Sequence, residues 1–263
     1  MTAVTAMACS DIFGSASRNP VASISALSLP YPSVVVGDVM RDSLGQAAPV
    51  SIQAYDANGS LLTSQSPTFT VLDATTSTVA TSVQVDQNGF VHGLARDSLG
   101  ARVFAGFGTL TAPAQRVIVS VAPTRATRPV DTLRISFIDS VTDTLRITNW
   151  SPPLKLQLSD ATGVGAQGFV VVFAVTRFPA PLNPGDQAAY IADATGKPSG
   201  RDTTKSTGEA KRLVVLRQSK LDTVSVRRGL TTDTIIVRAT VKYNGADVSG
   251  TPIDYIIPVS KKP

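Results

Sequence analysis

A hydrolase built on a Ser-His-Asp relay would have to run through His92, because the chain of 263 residues contains no other histidine. That imidazole sits in "FVHGLA" at residues 90–95, an alternating run that predicts a strand beside turn glycines, so its expected role is that of a surface or strand-packing residue and not proton transfer. Serines are plentiful, yet no G-x-S-x-G elbow places one on a sharp strand-to-helix turn. The other chemistry-bearing residues are aspartates in short turns: Asp56 with Asn58, Asp86 with Asn88, and Asp160 with Thr162. Each pair offers oxygens to a hard cation, but calcium takes about six or more. The calcium-loop signature also ends in a bidentate Glu, whereas this chain has a single glutamate, Glu209. An Asp in such a turn can instead bond the backbone two residues on and close the turn itself, which is the expected use here. The runs "GFG" and "GVG" fall between predicted strands, so they lack the helix N-terminus that cradles phosphate. The residue patterns therefore predict no catalytic residue, no metal site and no cofactor.

Two further residues stand out by type. Trp150, in "TNWSPPL", lies beside a proline turn, where an exposed indole can stack on a sugar ring. It is the candidate ligand contact, with partial burial at the end of a sandwich as the alternative. Cys9 is the lone cysteine, so neither an intrachain disulfide nor a four-cysteine zinc site can form. It ends the small, apolar run "TAVTAMAC", after which "SDIFGSASRNP" turns polar. This stretch resembles the lipobox of bacterial lipoproteins, with Ala6 where leucine is more usual. The resemblance implies that Cys9 is the lipidation site and that residues 10–20 are a flexible tether. A secretory signal needs a basic region and an apolar region of about 7–15 residues ahead of the box, which an upstream start codon would supply. A small buried side chain or an inert thiol in a flexible leader are the plain alternatives. No other segment approaches the ~18 consecutive apolar residues of a membrane-spanning helix.

These residues must be held by elements that the composition already restricts. Charged residues make up 16% of the chain, and Thr, Val and Ser abound where exposed helix faces would need Glu and Lys, which predicts an almost wholly β protein. The length suits two domains. The net charge of +5 is unevenly placed: residues 1–122 carry 5 Lys/Arg against 7 Asp, and residues 123–263 carry 19 against 12 acids. The basic residues, among them Arg134, Arg212, Arg227 and Arg238, are scattered along alternating strands and are not interleaved with aromatics. A nucleic-acid partner is not expected from that pattern.

From Val34 the chain reads as strands at the spacing of about 8–12 residues that a β-sandwich requires. Val50, Ile52 and Ala54 alternate into an Asp56–Gly59 turn, "PTFTVLD" follows with Phe69 and Val71 on one face, and Asp86–Gly89 opens another strand. The order Gly37-Asp38, Asp56-Ala57-Asn58-Gly59, Asp86 through Ala95 ("DQNGFVHGLA") and Val103-Phe104-Ala105 resembles a group 2 bacterial Ig-like domain over residues 21–122. Phe69 stands where that family commonly has a core tryptophan. "PTRATRP" then reads as a linker at 123–130. A second series, 131–263, carries "DTLRI" at 131–135 and again at 143–147, with Leu133, Ile135 and Phe137 directed inward. Asp160, Gly163, Val171, Phe173, Thr207, Gly208 and Ala210 resemble the turn-and-strand pattern of group 1 Ig-like domains of the invasin and intimin type. Residues 177–205 are expected as a long irregular connection and hence as a contact surface.

The expectation is an all-β chain of two tandem immunoglobulin-like β-sandwich domains after a signal/lipobox remnant and tether at 1–20. The resemblance implies a non-enzymatic spacer or adhesion module of the cell envelope, outer membrane or exterior. Its partner would be a protein or polysaccharide at the cell surface, with the membrane reached through the Cys9 lipid. A carbohydrate-binding module centred on Trp150, or an accessory domain pair of an extracellular enzyme system, is the alternative.

Overall fold

The computed structural model describes residues 20–129, 132–137, 149–179, 181–221 and 234–261. Among them there is no α-helix; a short 3-10 turn, Gln218–Lys220, and the 3-10 residue Asn149 stand among nineteen strands. The first ten are β1 (Ser23–Ile24), β2 (Ser33–Val35), β3 (Ala54–Tyr55), β4 (Thr68–Asp73), β5 (Val83–Val85), β6 (Val91–Gly93), β7 (Asp97–Phe107), β8 (Leu110–Thr111), β9 (Gln115–Ser120) and β10 (Arg125–Thr127). The remainder are β11 (Ile135–Phe137), β12 (Leu154–Ser159), β13 (Val170–Arg177), β14 (Ala189–Ala192), β15 (Arg201–Thr203), β16 (Glu209–Leu216), β17 (Thr234–Tyr243), β18 (Ala246–Asp247) and β19 (Ile253–Lys261).

In the N-terminal half, β2-β9-β7-β4 form the main sheet, with β8 extending from β7. The facing layer is made of pieces: the β1–β3 pair, the β5–β6 hairpin, and single bridges such as Ser28 to Ser51 and Val39 to His92. Alternation explains the packing, since Val103, Ala105, Val117 and Val119 point inward from the sheet and meet Met40, Val83 and Val91. Phe69 and Val71 are half-buried against that cluster.

The C-terminal half stacks β10-β12-β16-β14 on β11-β19-β17-β13-β15. The run "LKLQLS" of β12 buries every second residue, Leu154, Leu156 and Leu158. These face Val171 and Phe173 of β13, Val237 and Ala239 of β17, and Tyr255 and Ile257 of β19. In both halves the second strand runs parallel to the closing one, β2 with β9 and β11 with β19, while the other ladders are antiparallel. The molecule is thus a tandem of Ig-like β-sandwiches.

Two expectations need correction. Residues 123–130 are not simply a linker, because β10 pairs with β12 and Ala126 is buried in the second core. Residues 177–205 are not an irregular connection either: they supply β14, which pairs with β16, and β15, which pairs with β13. Ala189 and Ala192 are buried there, but four residues of "AYIA" are too few for alternation to be visible in the sequence. Leu133 and Ile135 are buried as expected, whereas the second "DTLRI" lies outside the described residues.

Candidate functional site at the domain junction

The residues that sequence reasoning favoured do not converge. Cys9 lies outside the described residues. Trp150 is half-buried at the end of the second sandwich, bridged to Val215, with its indole lying on Gly196 so closely that a Cβ there would come within 2.7 Å of Cζ2. His92 is on the outer side of β6, where its Nε2 is 3.5 Å from Asp86 Oδ2 and its side chain is 43% exposed.

The aspartates act on their own turns. Asp42, Asp56, Asp86, Asp160 and Asp193 each accept through Oδ1 from the amides two and four residues on, while the glycine three residues on donates to their carbonyl. At Asp160 these bonds run from Thr162 N at 2.9 Å and Val164 N at 2.8 Å, and the Thr162 hydroxyl adds a third at 2.8 Å. That hydroxyl is the chief reason the Asp160 carboxyl stays below the usual carboxylate range; at Asp86 the Phe90 amide does the same. No group of three or more His, Cys, Asp or Glu residues that could hold a metal occurs among the described residues.

What does converge is the seam between the sandwiches. Tyr31, set between Pro30 and Pro32 at the entry to β2, accepts from Val170 N through its hydroxyl at 2.8 Å. Its ring lies 6.2 Å from that of Phe169, which meets Tyr243 edge-on at 6.0 Å. Burial raises the Tyr31 pKa, against the Val170 bond. Ser33 Oγ donates to Gly168 O at 3.0 Å, and Gln167 N donates to Ser120 Oγ at 2.8 Å. Val35 and Val121 of the first half pack against the core of the second.

A second contact lies beside it. The hairpin after β2 carries Asp38, which accepts from Arg41 Nε and Nη2, both at 3.1 Å, and from Val39 N at 2.8 Å. Burial is the largest influence on the Asp38 carboxyl and pushes its pKa up, but the Arg41 and Val39 bonds together outweigh it and leave the pKa lowered. Tyr243 donates to Asp38 Oδ2 at 3.5 Å. The tip of this hairpin, at Gly45, lies flat on Asn244 and Gly245 of the β17–β18 turn, where an added Cβ would run into the Asn244 carbonyl carbon.

Between these two contacts opens a cleft of about 440 Å³. Its walls are Pro30 to Val35 and the 38–43 hairpin; its floor is the outer face of β13 and β17 with the edge of β15. Val172, Thr240, Arg201 and Lys242 line that floor, while Trp150 is not among the lining residues. The segment 177–205 thus reaches this site through Arg201. Sequence reasoning missed the seam because its partners are far apart, 135 residues in the case of Ser33 and Gly168, and of ordinary type. The one local signal was the Pro-Tyr-Pro entry to β2.

No family model matches the chain, and no curated protein matches it. Among solved structures the chain is similar to the Yersinia pseudotuberculosis adhesin InvE, at 16% identity over 86% of this chain and 56% of that one, with a TM-score of 0.35. It is also similar to the Escherichia coli adhesin FdeC, at 14% identity over 89% and 65% of the two chains, with a TM-score of 0.31. Invasin, a bacterial integrin-binding protein, matches at 14% identity over 91% and 40%, with a TM-score of 0.30. The chain spans less than two thirds of each of these three.

Proposed function

We propose that the chain is a non-enzymatic bacterial surface module, in which two Ig-like sandwiches locked into one stiff unit space and present an adhesive surface. The observation that supports this most is the seam. Tyr31, Ser33 and Ser120 exchange hydrogen bonds with backbone atoms of Gln167, Gly168 and Val170, and the same strip packs the half-buried Val35 and Val121 on the second core. Each such bond is worth about 1 kcal/mol net, so bending the junction would cost several at once and expose apolar surface. A non-enzymatic role fits a His92 whose imidazole faces the turn carboxylate of Asp86 on the outer side of β6, and the use of the turn aspartates in closing their own turns. The partner would be a protein or polysaccharide met at the cell surface. Cys9 is proposed as the lipid attachment point, giving membrane affinity through its acyl chains without a spanning segment.

Display of the chain on a non-adherent bacterial strain tests the reading. Displayed cells should be retained on host-cell or matrix-coated surfaces several-fold above the parent. Equal retention at verified display would refute the adhesive role. For the anchor, mass spectrometry of the membrane fraction should find diacylglycerol on Cys9, and an unmodified cysteine there would refute it.

A further inference from the structure

We infer that the cleft at the domain seam binds a carboxylated sugar residue of an acidic glycan. The inference goes beyond the adhesive reading and does not depend on where in the cell the chain resides. Its first support is the charge left over in the cleft. Of the cations lining it, Arg41 is neutralised by Asp38, and Asp42, which also lines it, turns its Oδ1 to the Leu44 and Gln46 amides of its own turn, so that Arg41, Arg201 and Lys242 outnumber the two carboxylates by one. Arg201 and Lys242 are exposed and form no ion pair among the described residues, although Asp247 of β18 is the Cα partner of Lys242 across the turn.

Sheet geometry places these two cations on one face. Val172 is the Cα partner of Arg201 on one side and of Thr240 on the other, so these three residues form a row across β15, β13 and β17. Lys242 follows Thr240 by two positions on β17, and the buried residue between them, Val241, points to the core. With strands about 4.8 Å apart and a rise of about 3.4 Å per residue, the Cα atoms of Arg201 and Lys242 stand roughly 12 Å apart. Both long side chains can reach over Val172 from opposite sides, bracketing a position where one carboxylate would meet two cations.

The surroundings select the body that carries the carboxylate. The walls offer flat apolar surface, Pro30, Pro32 and the Tyr31 ring, suited to the C–H face of a pyranose, with the Ser43 and Thr240 hydroxyls near for its hydroxyl groups. The volume, about 440 Å³, is within the usual range of small-ligand clefts, roughly 300–1,000 Å³. An acidic peptide fits less well. The floor is the face of the sheet, and β13 is already paired on both sides by β15 and β17, so an extended peptide could join only the outer edge of β15, a strand of three residues.

Calorimetric titration of the purified chain tests this with four probes: trigalacturonate, sialyllactose, the neutral maltotriose and triglutamate. At least one acidic sugar should bind with a Kd of about 1 mM or tighter, weakening with salt, and the neutral sugar should not bind. Binding of both acidic sugars supports the shared carboxylate chemistry; binding of one identifies the source. The double variant Arg201→Gln/Lys242→Gln should lose tenfold or more in affinity, and Val172→Glu should abolish binding, with the thermal midpoint showing each variant folded. Trp150→Ala should leave affinity unchanged. The inference is overturned by triglutamate binding as tightly as the sugars, by affinity indifferent to these cleft variants, by loss of binding in Trp150→Ala, or by no binding of either acidic sugar.

Discussion

The two sandwiches share a strand plan but not a core. The second encloses Phe169, Phe173 and Tyr255 among leucines, isoleucines and valines, with Tyr255 donating to the Lys155 carbonyl from inside the sandwich. The first is filled by valines and alanines around Met40 and Leu27; Phe69 is only half-buried against that cluster, and Phe107 is buried outside it. Its second layer is also broken into short pairs. A sandwich with so little to bury gains from a neighbour, and Tyr31 and Val35, which leave the first half to pack on the second core, supply that gain. The difference teaches that the seam is both a connection and a completion of the weaker domain.

Core truncation should separate the halves most. Phe173→Ala is expected to cost about 3–5 kcal/mol in urea unfolding. Val103→Ala, at a fully buried site in the first half, should cost about 2 kcal/mol. If the two costs proved equal, the contrast between cores would fail.

Next in size is a pair of glycines in matching turns. Gly45 and Gly59 have φ of 84° and 80°, so alanine strains both by about 1–2 kcal/mol. Gly59 faces open space, but Gly45 faces Asn244. Gly59→Ala should therefore leave the second half untouched, while Gly45→Ala should also shift the amide resonances of residues 243–246. Unchanged resonances there would remove the hairpin from the seam.

Smaller still is the pH effect of the turn aspartates. The folded pKa values of Asp86 and Asp160 are lowered, so their contribution is complete above the ordinary carboxylate value of 3.8 and is lost as pH falls through the folded values. Asp86→Asn and Asp160→Asn keep the turn acceptor and remove the titration. Each should flatten the loss of thermal midpoint as pH falls below about 4. The smallest effect is expected for Arg238→Ala, whose pair with Asp254 at 2.8 Å is exposed on both sides. Thermal unfolding should barely change.

Much of the fold was legible because its signals are local. Alternation in "LKLQLS" and the Asp-x-x-G turns need only neighbouring residues to be read, and the strands ending at Asp56 and Asp160 follow from them. The short β14 and the entry of Ala126 into the second core were not legible, since two to four residues carry no period. The site was the least visible part. Tyr31, Arg201 and Lys242 meet only when two domains dock and three strands align, and nothing in their spacing announces it. Trp150 drew notice as an aromatic beside prolines, but its ring is partly taken up by Gly196.

Nitrogen-15 relaxation on the full chain tests most directly whether the sandwiches move as one body. Amides of the β7 and β13 strands should report the same overall tumbling time and a common diffusion axis, and Tyr31→Ala should split the two sets. Separate tumbling times in the unaltered chain would contradict the locked junction.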